Sequence, residues 1–332
     1  MNANDYLFLT GKLRYLETKL PDLTDLERIL DAPNFESALQ VFYDTDYAQE
    51  LLERKAEEFE KVILDDLLND KKMLFSFVKD KDLIRLILLE YDFHNLKIIF
   101  KEKMFGKNLD FLLLPLGFYE PDLLKKVLLS KEKIEIDNDF KELVEKIEKK
   151  IGAQLEPYKI EAIFDKEYFS FSLELAKRLN NSFIFNFIRL KIDLENLRIM
   201  LRLKLLQVDK NVFEELLIDG GNIGKKNFLD SWELHLEEIF KKLEGFFPRR
   251  IGKYFSEYLE NKKFWLLEKR LFEEEIEYLR QSKFLSYGPE IVFAYFLAKN
   301  NANKNIRLLM LGKMNNIEKE ILRERIRKNI NY

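Results

Sequence analysis

The side chains that most often carry out chemistry are sparse in this chain of 332 residues. Histidine occurs twice, at His94 and His235, and cysteine does not occur. Neither histidine has a second histidine or a carboxylate at the spacing of a helical zinc site. Without thiols, a thiolate zinc site, a cysteine nucleophile and a disulfide scaffold are excluded. His94 reads as a variable exposed position, because two similar stretches carry Glu195 and Lys304 in its place. His235, in SWELHLEEIF, reads as a solvated helix face. The stretch GGNIGKK, Gly220 to Lys226, invites a phosphate-loop reading that its spacing refuses. Such a loop needs glycine five residues before its Gly-Lys pair and a hydroxyl just after it. Here those positions hold Asp219 and Lys226. FFPRRIGKYF, Phe246 to Phe255, mixes aromatics with Arg249, Arg250 and Lys253. Mixing of this kind can bind single-stranded nucleic acid. One short stretch in a chain of net charge −3 fits a partner contact or a domain joint better. No catalytic, cofactor-binding or metal-binding residue is assigned, and neither nucleic acid nor nucleotide is an expected partner.

What does repeat is a phrase with asparagine at its centre: DFHNLK, DLENLR and ANKNIR. Each sets Asn, an aliphatic residue and a cation inside an apolar run. The repeat positions are Asp92, Asn95 and Lys97, then Asp193, Asn196 and Arg198, then Asn305 and Arg307, with Ala302 standing where the earlier copies have aspartate. An asparagine beside an apolar stripe loses water, so its amide must find partners, most simply on a neighbouring helix. The following Lys or Arg can lay its stem on apolar surface and keep its head wet. Two readings are open: an inter-helix hydrogen bond that fixes register in a duplicated bundle, and a partner-facing polar site, once per domain. Packing is inherited by every copy, whereas a triplicated site seldom serves one substrate, which favours the first.

The elements that must hold these residues read as helices. Around the first copy Leu89, Phe93, Leu96 and Phe100 alternate at steps of four and three. Leu190, Leu194, Leu197 and Leu201 do the same around the second. The third keeps Ile306 and Met310 in register but has Lys299 and Asn303 in the earlier slots. The first two copies run on into LLLPLGFYEPDLL and LLIDGGNIGKKNFL, each a helix end, a glycine turn and a new helix. The third runs into LGKMNNIEKEILRERI, one further helix. Asp44 to Leu68, Lys141 to Ile151 and Phe228 to Leu243 are also expected helices, the first with Leu51, Leu52, Ala56, Phe59, Ile63 and Leu67 on one side. No sustained period-2 alternation appears.

Composition agrees. Hydrophobic residues are 47% and charged residues 35%, with only 11 Gly and 7 Pro. Few breakers and many helix formers predict long helices in a well-cored globular chain. The uncharged run from Phe111 to Tyr119 is about half a bilayer span and contains Pro115, so no transmembrane segment is expected. The N-terminus lacks the basic start and apolar core of a signal peptide. Absence of cysteine fits a reducing cytosol. The first and second aspartates lie 101 residues apart and the second and third asparagines 109. A period near a hundred residues points to related domains rather than a solenoid, whose repeats run roughly 20–50 residues. The expected fold is all-α, with three helical-bundle domains at residues 1–118, 119–222 and 223–332.

The chain resembles the C subunit of archaeal and bacterial A/V-type ATPases, whose counterpart in eukaryotic vacuolar enzymes is the d subunit. The resemblance runs through Tyr6, Arg14, Leu16 and Glu17, LERILDAPNFESAL from Leu26, DTDY from Asp44 and FDKEYF from Phe164. It continues through Asp193, Asn196 and Arg198 to its most specific part, YGPEIVFAYFLAK from Tyr287 and KNIRLLMLGK from Lys304. The family often has an acidic residue where this chain has Ala302, so the third copy is expected to lack a cap or ion pair. The stretch from Ile134 to Pro157 matches by helical character alone. The resemblance implies a funnel of three similar domains, peripheral on the cytoplasmic face of the membrane. It implies a non-catalytic socket between the central axle of the soluble head and the membrane proteolipid ring. Such a socket transmits torque and couples ATP hydrolysis or synthesis to proton or sodium movement. The alternative from another class is a helical adaptor with no rotary role.

Overall fold

A computed structural model describes residues 4–45, 59–129, 135–152 and 156–331. The fold is all-α, and no strand occurs among the described residues. In chain order the helices are α1 (Asn4–Glu17), α2 (Leu23–Asp31), α3 (Phe35–Tyr43), α4 (Phe59–Phe77), α5 (Lys81–Phe105), α6 (Pro121–Leu129), α7 (Asn138–Ile151) and α8 (Pro157–Arg178). They continue as α9 (Ser182–Leu205), α10 (Lys210–Leu216), α11 (Lys225–Leu229), α12 (Leu236–Glu244), α13 (Arg249–Asn261), α14 (Phe264–Leu279), α15 (Pro289–Met314) and α16 (Lys319–Arg325). Single 3-10 turns span Asp110–Leu112 and Arg280–Phe284.

The chain forms two compact units. A terminal unit joins Met1–Lys79 to Tyr254–Tyr332, and a central unit spans Asp80–Lys253. The sequence boundary at 253/254 falls inside α13, the helix that carries most of FFPRRIGKYF. The expected cuts after residues 118 and 222 both lie within the central unit's span.

In the terminal unit α15 packs on α1, α2, α3 and α16. Its core gathers Leu26, Ile29 and Leu30 of α2, Leu39 and Phe42 of α3, Phe59 and Ile63 of α4, and Ile306 and Met310 of α15. Local chemistry starts these helices where they start. Asp22 accepts from the Asp25 N–H while Asp25 accepts from the Asp22 N–H, a reciprocal cap at the head of α2. Asn34 caps α3 through the Ser37 N–H.

In the central unit α5 lies along α8, and α8 also packs on α7 and α9. The apolar stripe of α5 meets an aromatic cluster there. Phe93 stands edge-on to Phe164 and Tyr168, and Phe100 stands edge-on to Phe164. Ion pairs bind the far end of the same layer. Arg85 of α5 holds Asp139 of α7 by two bonds of 2.9 Å, and Arg178 of α8 reaches both Asp82 and Asp139. Asp139 is held below the ordinary carboxylate range: burial works against its charge, and the two guanidinium groups outweigh burial.

Two helix expectations need correction. Phe228 to Leu243 is not one helix but α11 and α12, with a turn between. Ser231 and Trp232 are buried in that turn. Trp232 stacks on Phe213, and the Lys204 ammonium caps the carbonyls of Trp232 and Leu234. Tertiary partners for the backbone thus override a helical pattern. Of the expected helix from Asp44 to Leu68, residues 46–58 (with Leu51, Leu52 and Ala56) lie outside the described residues, and α4 runs beyond Leu68 to Phe77.

Candidate functional site

The three asparagines sit on α5, α9 and α15, all buried, and each does the same thing. The Asn95 amide donates to the Leu114 carbonyl at 2.8 Å and accepts from the Leu114 N–H at 2.9 Å. Asn196 does this to Ile218 at 2.9 and 2.8 Å. Asn305 does it to Arg327 at 2.8 and 3.0 Å. One carboxamide therefore satisfies both backbone groups of one residue, as a neighbouring β-strand would. The partner is an extended loop peptide roughly twenty residues downstream in the same copy, not a group on a neighbouring helix. Each Asn helix is followed by a short helical piece, Asp110–Leu112, α10 or α16, and then by the clamped residue. The helix leaves the core, turns, and is drawn back against its own flank.

The aspartates extend the clamp. Asp92 accepts from the N–H groups of Phe118 and Tyr119, both at 3.1 Å. Asp193 accepts from those of Asn222 and Ile223, both at 2.9 Å, and from the Asn222 side-chain amide. Burial pushes the Asp193 carboxyl up from its ordinary value, against the pull of these donors and of Arg189. Glycine is required beside each carboxylate. A Cβ on Gly117 would fall 2.2 Å from Asp92 Oδ1, and one on Gly221 would fall 2.1 Å from Asp193 Oδ1. Neither glycine has a positive φ. The requirement is for space, not for a special backbone conformation. In the third copy, Ala302 carries no carboxylate, and a buried Ile330 stands where the spacing from the clamped residue puts Gly117 and Gly221. The aspartate and the glycine have gone together.

The cations differ more. Lys97 of α5 reaches Glu161 and Asp165 of α8 at 2.8 and 3.0 Å, with its ammonium near the Phe164 ring. Burial works against that charge, but the two carboxylates outweigh it and raise the lysine's pKa. Arg307 of α15 pairs with Glu60 of α4 at 3.0 Å. Arg198 bonds Glu195 on its own helix at 2.6 Å. In both units, then, an Asn helix is tied by its cation to a second helix.

The remaining candidates are used locally. His94 is half-buried rather than exposed, with Nε2 donating to the Leu112 carbonyl at 2.9 Å, which helps seat the same loop. His235 is exposed at the head of α12, where Glu238 accepts its backbone N–H. GGNIGKK is the turn into α11, closed by an ion pair between Lys225 and Asp219 at 2.7 Å. Among the described residues, no group of three His, Cys, Asp or Glu is placed to hold a metal ion. None of the described helices is long and apolar enough to cross a membrane.

Reasoning from sequence missed the loop as the asparagine's partner. A signal was present: the two copies with aspartate also have a glycine 25 and 28 residues beyond it, and the copy without aspartate has none there.

Among the described residues the fold is all-helical, and three buried asparagines on three of its helices clamp its own backbone. The chain belongs to the ATP synthase (C/AC39) subunit family, whose model matches residues 9–325. It is 24% identical to the C subunit of the V-type sodium ATPase of Enterococcus hirae, over 97% of this chain and 98% of that one. It is 22% identical to the C subunit of the A-type ATP synthase of Thermococcus kodakarensis, over 96% and 89%. With the corresponding A-type ATP synthase chain of Methanocaldococcus jannaschii the identity is 25%, over 96% and 85%.

Two substitutions test the clamp. Asn196→Leu strands the N–H and carbonyl of Ile218 and should cost about 1–3 kcal/mol in denaturant melts of the isolated chain. A variant that melts normally but fails to assemble would instead make the asparagine a partner-facing group. Gly117→Ala should cost about 1–3 kcal/mol by overpacking. In an Asp92→Ala background most of that penalty should vanish, a coupling of roughly 1–2 kcal/mol. Additive losses would show that the glycine serves something other than the carboxylate.

Proposed function

We propose that this chain is a non-catalytic central-stalk component of a V/A-type rotary ATPase. It acts as a socket that joins the central axle of the soluble head to the membrane proteolipid ring. The observation that carries the reading is end-to-end similarity to proteins named as the C subunits of V-type and A-type enzymes. The chain would sit on the cytoplasmic face of the membrane and transmit torque, coupling ATP hydrolysis or synthesis to proton or sodium movement.

The triplicated clamp supports the mechanical part. Torque crosses only through continuous non-covalent contacts, and a stable interface buries about 1,200–2,000 Å² in total. Three similar domains, divided near residues 118 and 222 and arranged as a funnel, would offer such a surface to an inserted axle and to a ring. Loops tied to their helices by buried side chains resist shear better than loops held by solvent-exposed bonds. With 35% charged residues, much of each contact would be polar, and assembly would weaken as salt screens it.

Depletion and add-back test the proposal. Membranes depleted of this protein should lose ATP-driven ion pumping while detached heads go on hydrolysing ATP. The purified chain should restore pumping at low salt. Normal pumping by depleted membranes would overturn the socket and leave a helical adaptor with no rotary role.

A further inference from the structure

The third Asn helix breaks its own apolar stripe. In the slots where α5 has the buried Leu89 and Phe93, α15 has Lys299 and Asn303, and both are buried. The Lys299 ammonium lies 2.8 Å from Asp66 and 3.3 Å from Asp70, both on α4. Among the described residues, neither amide atom of Asn303 has a hydrogen-bond partner. One turn before Lys299, the hydroxyl of the fully buried Tyr295 likewise has no hydrogen-bond partner among the described residues. The central unit closes the matching seam, between α5 and α8, with interlocked aromatic rings. The terminal unit places two carboxylates, one ammonium and two unsatisfied polar groups there. Unsatisfied buried polar groups and surplus buried charge both destabilise a seam.

We infer that the seam of α4 and α15 in the terminal unit is a proton-operated latch: uptake of a proton by the Asp66–Asp70–Lys299 cluster closes it, and release of that proton loosens α4. With both aspartates ionised, two carboxylates share Lys299, the one ammonium among the described residues at ion-pair distance from both, with Lys12 of α1 acting on Asp70 from farther away. One proton restores neutrality and turns a carboxylate into a donor in a place rich in unpaired acceptors. The other groups that face Asp70 are Tyr295 on α15 and Lys12 on α1; Glu17 of α1 lies nearer Tyr295, and its partner is Arg14.

Burial, opposed by Lys299 and assisted by Asp66, pushes Asp70 up to about 6. Because that folded value is above the unfolded one, the stabilisation is fully present below about pH 3.9 and is lost as pH rises through about 6. The carboxylates held low by ion pairs, such as Asp139 and Glu161, act in the opposite sense and only at lower pH. Between pH 7.5 and 5.5 the terminal unit should therefore tighten as the solution is acidified.

Hydrogen exchange of the full chain, corrected for intrinsic rates, tests this in segments covering α4 and, as internal reference, α12. In the wild type, α4 amides should be about fourfold better protected at pH 5.5 than at 7.5, while α12 stays unchanged. Asp70→Asn should give α4 the higher protection at both pH values and raise the melting temperature at pH 7.5. Equal α4 protection at the two pH values in the wild type would overturn the latch. So would an Asp70→Asn chain that kept the wild-type pH response.

Discussion

Two opposed hydrogen bonds from one side-chain amide to one backbone residue organise this protein. A long apolar helix can be buried only if the chain leaving it returns close by, and returning chain carries N–H and carbonyl groups that must be satisfied away from water. A sheet would satisfy them with another strand. Here a helical asparagine does so, three times, at Leu114, Ile218 and Arg327. Around that contact the other features fall into place: the short helical piece that turns the chain and, in two copies, the aspartate one turn earlier that collects the N–H groups four and five residues beyond the clamped one, with the glycine that leaves room for its carboxylate.

The third copy separates what the clamp needs from what can be exchanged. Asn305 keeps both of its bonds although Ala302 offers no carboxylate and Ile330 fills the space a glycine leaves elsewhere. The asparagine is thus the core of the device, and the aspartate–glycine pair is an addition that stands or falls together. The same copy gives up part of its apolar stripe to Lys299 and Asn303. Repetition preserved the backbone contact and let the side-chain seam diverge, so one helix pair is locked by aromatic rings and another is held by charge.

Much of this was legible in the sequence. The all-α class followed from few breakers and from stripes at steps of three and four, such as Leu89, Phe93, Leu96 and Phe100. The need of Asn95 and Asn196 for hydrogen-bond partners away from water followed from their place beside those stripes. Less legible was anything that depends on where a loop returns. The amide's partner lies 19–22 residues away, beyond the reach of helical periodicity. The half-buried His94 was masked by polar residues at the matching positions, because a variable identity says nothing of burial. The break between α11 and α12 came from Trp232 docking on Phe213 and from Lys204 reaching two carbonyls, contacts between segments distant in sequence. Division into a terminal and a central unit has the same origin, since it joins the first helices of the chain to the last.

A socket in a rotary machine would require loops that stay with their helices under load, and the clamp supplies this from within each copy. Its most direct test is hydrogen exchange resolved to the single amides of Leu114, Ile218 and Arg327. All three lie in loops, where exchange is ordinarily fast, yet the clamp predicts that each opens only with the helix that holds it, as slowly as that helix's own interior amides. Exchange at these three positions as fast as in exposed turns would contradict the account.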